Sequence, residues 1–252
     1  MTASSDLFSV LAGAGGIALN VEATSLEAAR ATVDLPVPVV VGVMMRRFPT
    51  IDEGVATVNE LLGAGVKVSV GLGDGAADQW ERALQTAEAT GPLHLNQVYP
   101  AAAMSQRVLA DAGLPTVVNG LVRPAGVGLV DLGTGPVSGA TEGRAVVPVD
   151  VALDMMLETG VHSVKVFPVG GLERLQELIA IARAVAARDM LVEPTGGLAP
   201  EHLPTLLAAL LDVGCHVMPH LYGSLKDKAT GDLSSERLAL AVEAVERARE
   251  TA

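Results

Sequence analysis

Short apolar segments alternate with segments of helical period along most of the chain. The apolar segments are rich in β-branched residues and lie between turns that contain glycine or proline, which is typical of buried strands. The predicted strands are Ile17–Val21, Val37–Met44, Val66–Leu72, Leu93–Val98, Thr116–Leu121, Ser163–Phe167, Met190–Pro194 and Cys215–Pro219. The predicted helices are Ser25–Val33, Asp52–Leu62, Ala76–Ala89, Ala101–Ala112, Val149–Thr159, Leu172–Ala187, Pro200–Asp212 and Ser234–Ala248.

Eight strands and eight helices in strict alternation are compatible with a closed barrel or with an open doubly wound sheet. The length of 252 residues is close to that of one (β/α)8 TIM barrel. No G-x-G-x-x-G motif follows the first strand, which argues against a dinucleotide-binding sheet. The run Gly71-Leu72-Gly73-Asp74-Gly75 follows the third strand and is interpreted as an ordinary glycine-rich turn. We therefore predict an α/β fold, a TIM barrel, in a single domain at 1–252.

The connection at about 122–147 has no helical period and is rich in glycine and proline. Connections longer than about 12–15 residues in compact domains are usually functional or disordered. This one leaves the C-terminal end of the fifth strand, and that end of a barrel carries the active site. We expect a lid or a wall of the site, with room for a small hairpin, and a surface insertion without a role is the alternative.

Composition and charge narrow the classes of function. Hydrophobic residues make up 50% of the chain and aromatic residues only 2%, so the core must be aliphatic. The net charge of −12 argues against nucleic acid as a partner, although it leaves a small anionic substrate possible. The single cysteine, Cys215, lies in an apolar run and is predicted to be a buried core residue. No secretory leader and no membrane-spanning apolar run is recognised, so we expect a cytoplasmic protein. Its apolar-rich helices favour a homo-oligomer.

A lysine occupies an inward position of the sixth predicted strand. Side chains alternate along a barrel strand, so Lys165 and Phe167 point inward while Val164 and Val166 face the helices. Burial lowers the pKa of a lysine, and a neutral amine can attack a carbonyl carbon. A lysine that reaches the rim or pairs with a carboxylate is the structural alternative.

The seventh and eighth strands end in residues suited to an anion. Glu193 and Thr195 share the inward parity, and Gly196 and Gly197 follow at the end of the strand. Glycines allow backbone N–H groups to approach an anion closely, and barrels often bind phosphate after strands seven and eight. Tyr222-Gly223-Ser224 follows the eighth strand, so Gly223 and Ser224 are predicted to form the second half of a phosphate site with the glycine pair.

The runs Lys165-Val166-Phe167-Pro168 and Glu193-Pro194-Thr195-Gly196-Gly197 resemble motifs of the class I 2-keto-3-deoxy-6-phosphogluconate aldolases. More closely, the chain resembles the bacterial KDGP aldolase family associated with glucosaminate breakdown, over most of its length from Asn20 onward. Further matching segments are His94–Val98, Val117–Val122, Ser163–Leu172 and Pro219–Ser224 with Asp227-Lys228.

This resemblance implies retro-aldol cleavage of a phosphorylated keto acid to pyruvate and glyceraldehyde 3-phosphate. It assigns the Schiff base to Lys165 and requires neither a metal nor an organic cofactor. The better-known relatives carry a glutamate and an arginine on an early strand, whereas the stretch here offers Arg46 and Arg47 without a glutamate. Either arginine, together with Thr195, is then predicted to bind the carboxylate.

The missing early glutamate leaves the general base open. Glu193 is our first choice, with a structural ion pair to Lys165 as the equal alternative. His94 and a water molecule are the other possibilities, and a hydrogen-bonded core histidine is the simpler interpretation of His94. Three asparagines near strand ends could orient the keto acid: Asn20, Asn96 and Asn119. His220 is predicted to contact the substrate near its phosphate or to cap the eighth strand.

Three other functions remain open on the same barrel. A metal-dependent pyruvate aldolase would use Glu193, His94 and His220 as ligands, although no H-x-H or E-x-x-H spacing supports it. A phosphosugar isomerase or epimerase would use Lys165 only as a charge. A non-catalytic sugar-phosphate-binding protein would bind the ligand without turnover.

Overall fold

The computed structural model describes residues 11, 16–141 and 143–251. The remaining positions of the predicted domain at 1–252, namely 1–10, 12–15, 142 and 252, lie outside the described residues. The described strands are β1 (Leu19–Val21), β2 (Val39–Met44), β3 (Val68–Gly71), β4 (His94–Val98), β5 (Val117–Pro124), β6 (Leu129–Asp131), β7 (Val146–Pro148), β8 (Ser163–Val166), β9 (Leu191–Pro194), β10 (His216–Val217) and β11 (His220–Leu221).

Nine of these strands form a parallel sheet that closes on itself. The sheet order is β10-β9-β8-β5-β4-β3-β2-β1-β11. β10 pairs with β9, and Val217 also bridges to Ile17 ahead of β1. β11 pairs with β1, and His220 also bridges to Thr195 after β9. β10 and β11 together therefore form the eighth strand of a closed (β/α)8 barrel, as predicted.

The eighth strand differs from the predicted Cys215–Pro219 because it is split and continues further. Pro219 has no N–H to donate, so the ladder is interrupted there. Its carbonyl still accepts from the N–H of Asn20 at 3.0 Å, which keeps the two halves in register. The predicted strand therefore stopped short of His220 and Leu221, which form β11.

The helices follow the predicted order, each after its strand. They are α1 (Leu26–Arg30), α2 (Ile51–Gly63), α3 (Trp80–Thr90), α4 (Tyr99–Asp111), α5 (Val149–Glu158), α6 (Leu175–Ala186), α7 (Leu203–Leu211) and α8 (Ser235–Thr251). Each presents one apolar stripe to the sheet, as α6 does with Leu178, Ile181, Ala182 and Val185. Among the described residues, no helix is both long and apolar enough to cross a membrane.

Two separate apolar layers surround the sheet. The larger one fills the space between the sheet and the helices. The smaller one lies inside the barrel and comprises Leu11, Ala18, Val40, Val117, Leu191 and Met218. Above it, towards the C-terminal ends of the strands, the buried inward positions become polar, with Asn20, Ser69, His94, Asn119 and Glu193. The barrel is therefore sealed below by aliphatic side chains and carries a polar layer beneath its open end.

The connection at 122–147 contains β6, β7 and a short 3-10 helix, Ser138–Thr141. β6 pairs antiparallel with the end of β5 and with β7, so a small sheet stands beside the barrel. Asp131 anchors it, because its carboxylate accepts from the N–H groups of Gly133 at 3.0 Å and Gly143 at 2.8 Å and lies 3.7 Å from Arg123. None of the described residues of this connection lines the large cavity at the barrel's open end. The role of this insertion as a lid or wall of the site therefore stays a prediction, without a contact to the cavity among the described residues.

We predict that Asp131→Ala destabilises the fold by about 1–3 kcal/mol, because it leaves two N–H groups without their acceptor and removes the negative charge beside Arg123. Burial would raise the pKa of Asp131, but the N–H groups of Gly143 and Gly133 and the charge of Arg123 outweigh it and lower the pKa. Denaturant unfolding measures the loss.

Asp111→Ala is the matched control for this variant. Asp111 forms an exposed ion pair with Arg107 within one helix, and such pairs contribute less than about 1 kcal/mol. Equal losses of stability in the two variants would contradict the anchoring role of Asp131.

Candidate active site

A cavity of about 390 Å³ opens at the C-terminal ends of the barrel strands. This volume suits a small organic ligand. The cavity is lined by Met44, Gly71, Leu72, Gly73, Asp74, Gly75, Asn96, Gln97, Leu121, Lys165, Phe167, Thr195, Gly196, Gly197, Leu198, His220, Tyr222, Gly223 and Ser224. Lys165 is the one lysine or arginine among these described residues.

The carboxylate of Glu193 lies at the centre of the polar layer, with its side chain fully buried. Its Oε1 accepts from His94 Nε2 at 2.9 Å and from the hydroxyl of Ser163. Its Oε2 accepts from His220 Nε2 at 2.7 Å and from Asn119 Nδ2 at 2.7 Å. Four donors therefore use the acceptor capacity of both oxygens.

Burial alone would raise the pKa of Glu193, but the His94 and His220 rings outweigh it and hold the pKa well below its ordinary value. Hydrogen bonds to the charged form act in the same direction. Glu193 is therefore an ionised carboxylate at neutral pH. It does not line the cavity, so the polar layer separates it from the space above.

The hydrogen bonds around Glu193 close into a ring and fix the tautomer of His94. Asn96 Nδ2 donates to Ser69 Oγ at 2.9 Å, and Ser69 Oγ lies 2.8 Å from His94 Nδ1. The hydroxyl hydrogen of Ser69 is satisfied when it points at the lone pair of Nδ1. The ring hydrogen of His94 then lies on Nε2 and faces Glu193. Asn119 completes the ring, because its Nδ2 donates to both Asn96 Oδ1, at 3.0 Å, and Glu193.

Lys165 stands on β8 directly opposite Glu193 on β9, and its amine leans toward β4. The Nζ atom donates to Asn96 Oδ1 at 2.9 Å. Burial lowers the pKa of Lys165 to about 8, although the negative charge of Glu193 opposes this shift. An appreciable fraction of the amine is therefore neutral near pH 7, in contact with the cavity.

Two hydroxyl groups at the cavity are buried without a partner in the described structure: Thr195 Oγ1 and Ser224 Oγ. The Thr195 side chain is only 8% exposed, so a polar ligand atom would satisfy a group that is otherwise desolvated. Gly196, Gly197 and Gly223 line the same side of the cavity. The predicted carboxylate and phosphate residues after β9 and β11 are thus brought together, apart from the arginines.

Gly196 and Gly197 also have a packing role that the sequence does not reveal. Both have positive φ, at 102° and 71°. A Cβ at Gly197 would lie 2.8 Å from the backbone nitrogen of Gly171, and the N–H of Gly171 donates to the carbonyl of Gly196 at 2.9 Å. The glycine pair therefore lets the loops after β8 and β9 pack backbone to backbone.

The predicted arginines lie at the rim and not on the cavity. Arg46 is 60% exposed, and its guanidinium lies 4.0 Å from Asp74. Arg47 pairs with the buried carboxylate of Glu22 at 2.5 Å, and Lys226 contacts the same carboxylate at 2.9 Å. The guanidinium of Arg47 is therefore paired with Glu22, and the guanidinium of Arg46 points away from the cavity.

Several residues of the site were missed by sequence reasoning. Ser69 and Ser163 occupy inward positions of their strands, so the alternation of side chains could have found both. The run from Gly71 to Gly75, interpreted as an ordinary turn, forms one wall of the cavity. Tyr222 lines the cavity and bonds to His220, and no local sequence signal distinguishes it from a residue that only flanks a glycine turn.

Comparison with known proteins identifies the family. A family model described as KDGP aldolase matches residues 14–229. The protein named 2-dehydro-3-deoxy-phosphogluconate aldolase from Salmonella typhimurium (strain 14028s / SGSC 2262) is 36% identical over 234 residues, covering 91% of this chain and 94% of its own length. The chain belongs to the KDGP aldolase family. The predicted enzyme class, an aldehyde-lyase, is confirmed by this membership.

Several solved structures resemble this chain in fold. The native structure of KDPGal is 15% identical, covers 93% of this KDGP aldolase chain and 96% of its own, and has a TM-score of 0.57. KGPDC from Streptococcus mutans is 11% identical, covers 93% and 97%, and has a TM-score of 0.58. 3-Hexulose-6-phosphate synthase from Salmonella typhimurium is 11% identical, covers 92% and 99%, and has a TM-score of 0.58. At these identities the likeness concerns the barrel alone.

We predict that Glu193→Gln destabilises the protein by roughly 3 kcal/mol, because the amide turns two buried acceptor positions toward donors. The folded-state pKa of Glu193 is depressed, so its stabilisation is present above its ordinary value of 4.5 and is lost as the pH falls through the folded pKa. The difference between parent and variant is therefore expected to shrink in acid, as measured by denaturant unfolding at several pH values.

Glu60→Gln serves as the control, because Glu60 is exposed on α2. Its unfolding free energy is expected to match that of the parent within about 0.5 kcal/mol. If Glu193→Gln were equally harmless, Glu193 would not be the organising charge of the polar layer.

Proposed function

We propose that this chain is a class I aldolase that cleaves 2-dehydro-3-deoxy-6-phosphogluconate, or a close 2-keto-3-deoxy sugar acid, to pyruvate and glyceraldehyde 3-phosphate. The observation that carries the proposal is the amine of Lys165, which has a lowered pKa and lies on the cavity. The name of the Salmonella typhimurium relative supports the substrate class.

In the proposed reaction the neutral amine of Lys165 attacks the C2 carbonyl carbon of the keto acid. Uptake of one proton from solvent and loss of water give an iminium ion, which accepts the electron pair of the C3–C4 bond when that bond breaks. Asn96 holds the amine at 2.9 Å through its Oδ1 and leaves the nitrogen lone pair for the substrate. The reaction needs no electron sink other than this iminium ion.

The anionic ends of the substrate are assigned to the unpaired polar groups of the cavity. Thr195 Oγ1 is proposed to bind the carboxylate, because this hydroxyl is buried at the cavity without a partner. Gly196, Gly197, Gly223 and Ser224 are proposed to bind the phosphate through backbone N–H groups and the free hydroxyl of Ser224. Arg46 is also proposed to bind the carboxylate, and this requires its exposed guanidinium to turn into the cavity.

Glu193 is proposed to act on the reaction through its neighbours, a role that differs from both the general base and the ion pair with Lys165 considered from the sequence, because Lys165 Nζ bonds to Asn96 instead. Its oxygens are saturated by four donors and do not reach the cavity. The carboxylate instead fixes Asn119, which in turn orients Asn96 toward Lys165. His220 is proposed to contact the substrate, because it lines the cavity beside Tyr222.

A metal-dependent aldolase would need a set of ligands around a divalent cation. Within residues 11, 16–141 and 143–251, no group of three or more His, Cys, Asp and Glu could hold a metal ion. The cluster of Glu193, His94 and His220 is instead bonded internally. This arrangement favours the Schiff base.

The enzyme is further proposed to work as a cytoplasmic homo-oligomer without nucleic-acid or membrane partners. Large apolar side chains are exposed on the insertion and on α5, including Val127, Val137, Val151 and Met155. Exposed apolar side chains that form a contiguous patch mark interaction sites, so a subunit is proposed to cover them. The acidic charge of −12 disfavours nucleic acid.

We predict that incubation with pyruvate and reduction with borohydride modifies Lys165, as located by mass spectrometry of the digested protein. Trapping is expected to rise with pH through about 8, because the neutral amine is the attacking form. Lys165→Ala is expected to abolish the adduct, since no other amine is placed on the cavity among the described residues.

Lys67→Arg is the matched control, because burial also lowers the pKa of Lys67, which does not line the cavity. This variant is expected to trap pyruvate like the parent. An unmodified Lys165 under conditions where pyruvate binding is detected would overturn the Schiff-base mechanism.

A further inference from the structure

Tyr222 follows β11 directly and presents its phenol to the cavity that also contains Lys165. Its Oη lies 3.0 Å from His220 Nδ1 and 3.0 Å from Asn20 Oδ1. The proposed function assigns the electron sink and the anion-binding groups but names no group that exchanges protons with the substrate. Tyr222 is suited to that task by its position on the cavity and by its contact with His220, which bonds to Glu193.

The phenol of Tyr222 is fixed by its contacts with His220 and Asn20 and fits into space left open by Gly42. A Cβ at Gly42 would lie 3.3 Å from Tyr222 Oη and 2.8 Å from Met44 Cε, so the lack of a side chain on β2 makes room for both. The rings of Tyr222 and His220 are 5.5 Å apart and tilted by 57°. A fixed hydroxyl group at the edge of a cavity favours directed proton transfer.

Behind Tyr222, a chain of hydrogen bonds ends on a fixed negative charge. His220 Nε2 lies 2.7 Å from Glu193 Oε2, and Glu193 is ionised and fully buried. His220 can therefore accept a proton on Nδ1 while its Nε2–H remains bonded to the carboxylate. The resulting imidazolium would face a carboxylate at hydrogen-bond distance, which stabilises the charged ring.

Asn20 gives the Tyr222 hydroxyl an acceptor in both protonation states of His220. With a neutral His220 ring, the hydroxyl of Tyr222 donates to the lone pair on Nδ1. With a protonated ring, Nδ1–H donates to Tyr222 Oη, and the hydroxyl turns to Asn20 Oδ1. Neither state leaves a buried hydroxyl hydrogen without an acceptor.

We propose that Tyr222 is the residue that takes a proton from the C4 hydroxyl of the substrate and returns one to C3 of the product, with His220 as the proton reservoir and Glu193 as its counter-charge. This assignment rests on the proposed aldolase function. Tyr222 touches the substrate and is a catalytic residue in this scheme, whereas Glu193 is a positioning residue.

As the C3–C4 bond breaks, its electron pair moves to the iminium of Lys165 and forms an enamine. The C4 hydroxyl becomes an aldehyde by passing its proton to Tyr222 Oη, which passes its own proton to His220 Nδ1. After the aldehyde leaves, the reverse relay protonates C3, and water hydrolyses the iminium to release pyruvate and the free amine.

Burial and the nearby positive charge of Lys165 lower the pKa of His220 to about 3, although Glu193 opposes this shift, so the ring is neutral at rest. When the iminium becomes an enamine, the Lys165 nitrogen loses its positive charge, and the repulsion between that charge and a proton on His220 Nδ1 is removed. Burial and the charges of Glu193 and Glu22 raise the pKa of Tyr222 well above its ordinary value of 10. Because the phenol gives up its own proton as it receives another, no phenolate needs to accumulate.

The test is Tyr222→Phe, with Tyr99→Phe as the matched control. These are the two tyrosines of the chain, and Tyr99 donates to the carbonyl of Ala152 away from the cavity. Three quantities are measured: the yield of pyruvate trapped on Lys165 by borohydride, the exchange of pyruvate methyl hydrogens in deuterium oxide by NMR, and the cleavage rate. Exchange requires proton transfer at C3 but no aldehyde.

For Tyr222→Phe we expect the trapping yield of the parent, with exchange and cleavage both slower by roughly 10²-fold or more, the typical contribution of a general acid–base group. Tyr99→Phe is expected to match the parent in all three quantities. Exchange or cleavage that falls by less than about tenfold in Tyr222→Phe would overturn the assignment. A parent protein that traps no pyruvate would instead overturn the underlying aldolase proposal.

His220→Gln tests the same relay if Tyr222→Phe does not fold. The glutamine amide can still donate to Glu193 in place of Nε2, but it cannot accept a proton from Tyr222. We expect exchange and cleavage to be slow relative to the amount of pyruvate that the variant traps on Lys165. Exchange at the parent rate in this variant would overturn the role of His220 as proton reservoir and, with it, the relay.

Discussion

A single buried carboxylate organises the open end of this barrel. Glu193 cannot remain ionised inside a protein unless its charge is compensated, and four donors from four strands provide that compensation. Because each of these groups must donate a hydrogen bond to Glu193, its orientation is fixed: His94 and His220 present Nε2–H, and Asn119 presents its amide nitrogen. The desolvation of one charge thus sets the orientation of a whole layer of side chains.

This layer separates two different environments along the barrel axis. Below it, aliphatic residues such as Leu191 and Met218 seal the barrel. Above it, the amine of Lys165 and the phenol of Tyr222 face one cavity from opposite ends of the hydrogen-bonded network. The buried charge of Glu193 acts in the same direction on both groups, because it favours the protonated form of Lys165, against the effect of burial, and the protonated form of His220.

The barrel and the inward position of Lys165 could be predicted from sequence because both depend on local periodicity. The alternation of side chains placed Lys165 inward, and Cys215 proved to be the buried core residue that its apolar run predicted. The hydrogen-bonded contacts from Tyr222 through His220 to Glu193 could not be predicted, since the contact of His220 with Glu193 depends on the register of neighbouring strands beyond a break at Pro219. The outward direction of Arg46 depends on Asp74 in the next loop, which no pattern within its own segment encodes.

The most direct test of this organisation is the position of the ring hydrogens of His94 and His220, measured by nitrogen-15 NMR of the five histidines. Substitution of each histidine in turn assigns the signals. We predict that at neutral pH both rings carry a hydrogen on Nε2, toward Glu193, and that the ring of His220 is neutral, with a bare Nδ1 facing Tyr222. A neutral ring with its hydrogen on Nδ1, at either residue, would contradict the claim that the Glu193 carboxylate orders the site.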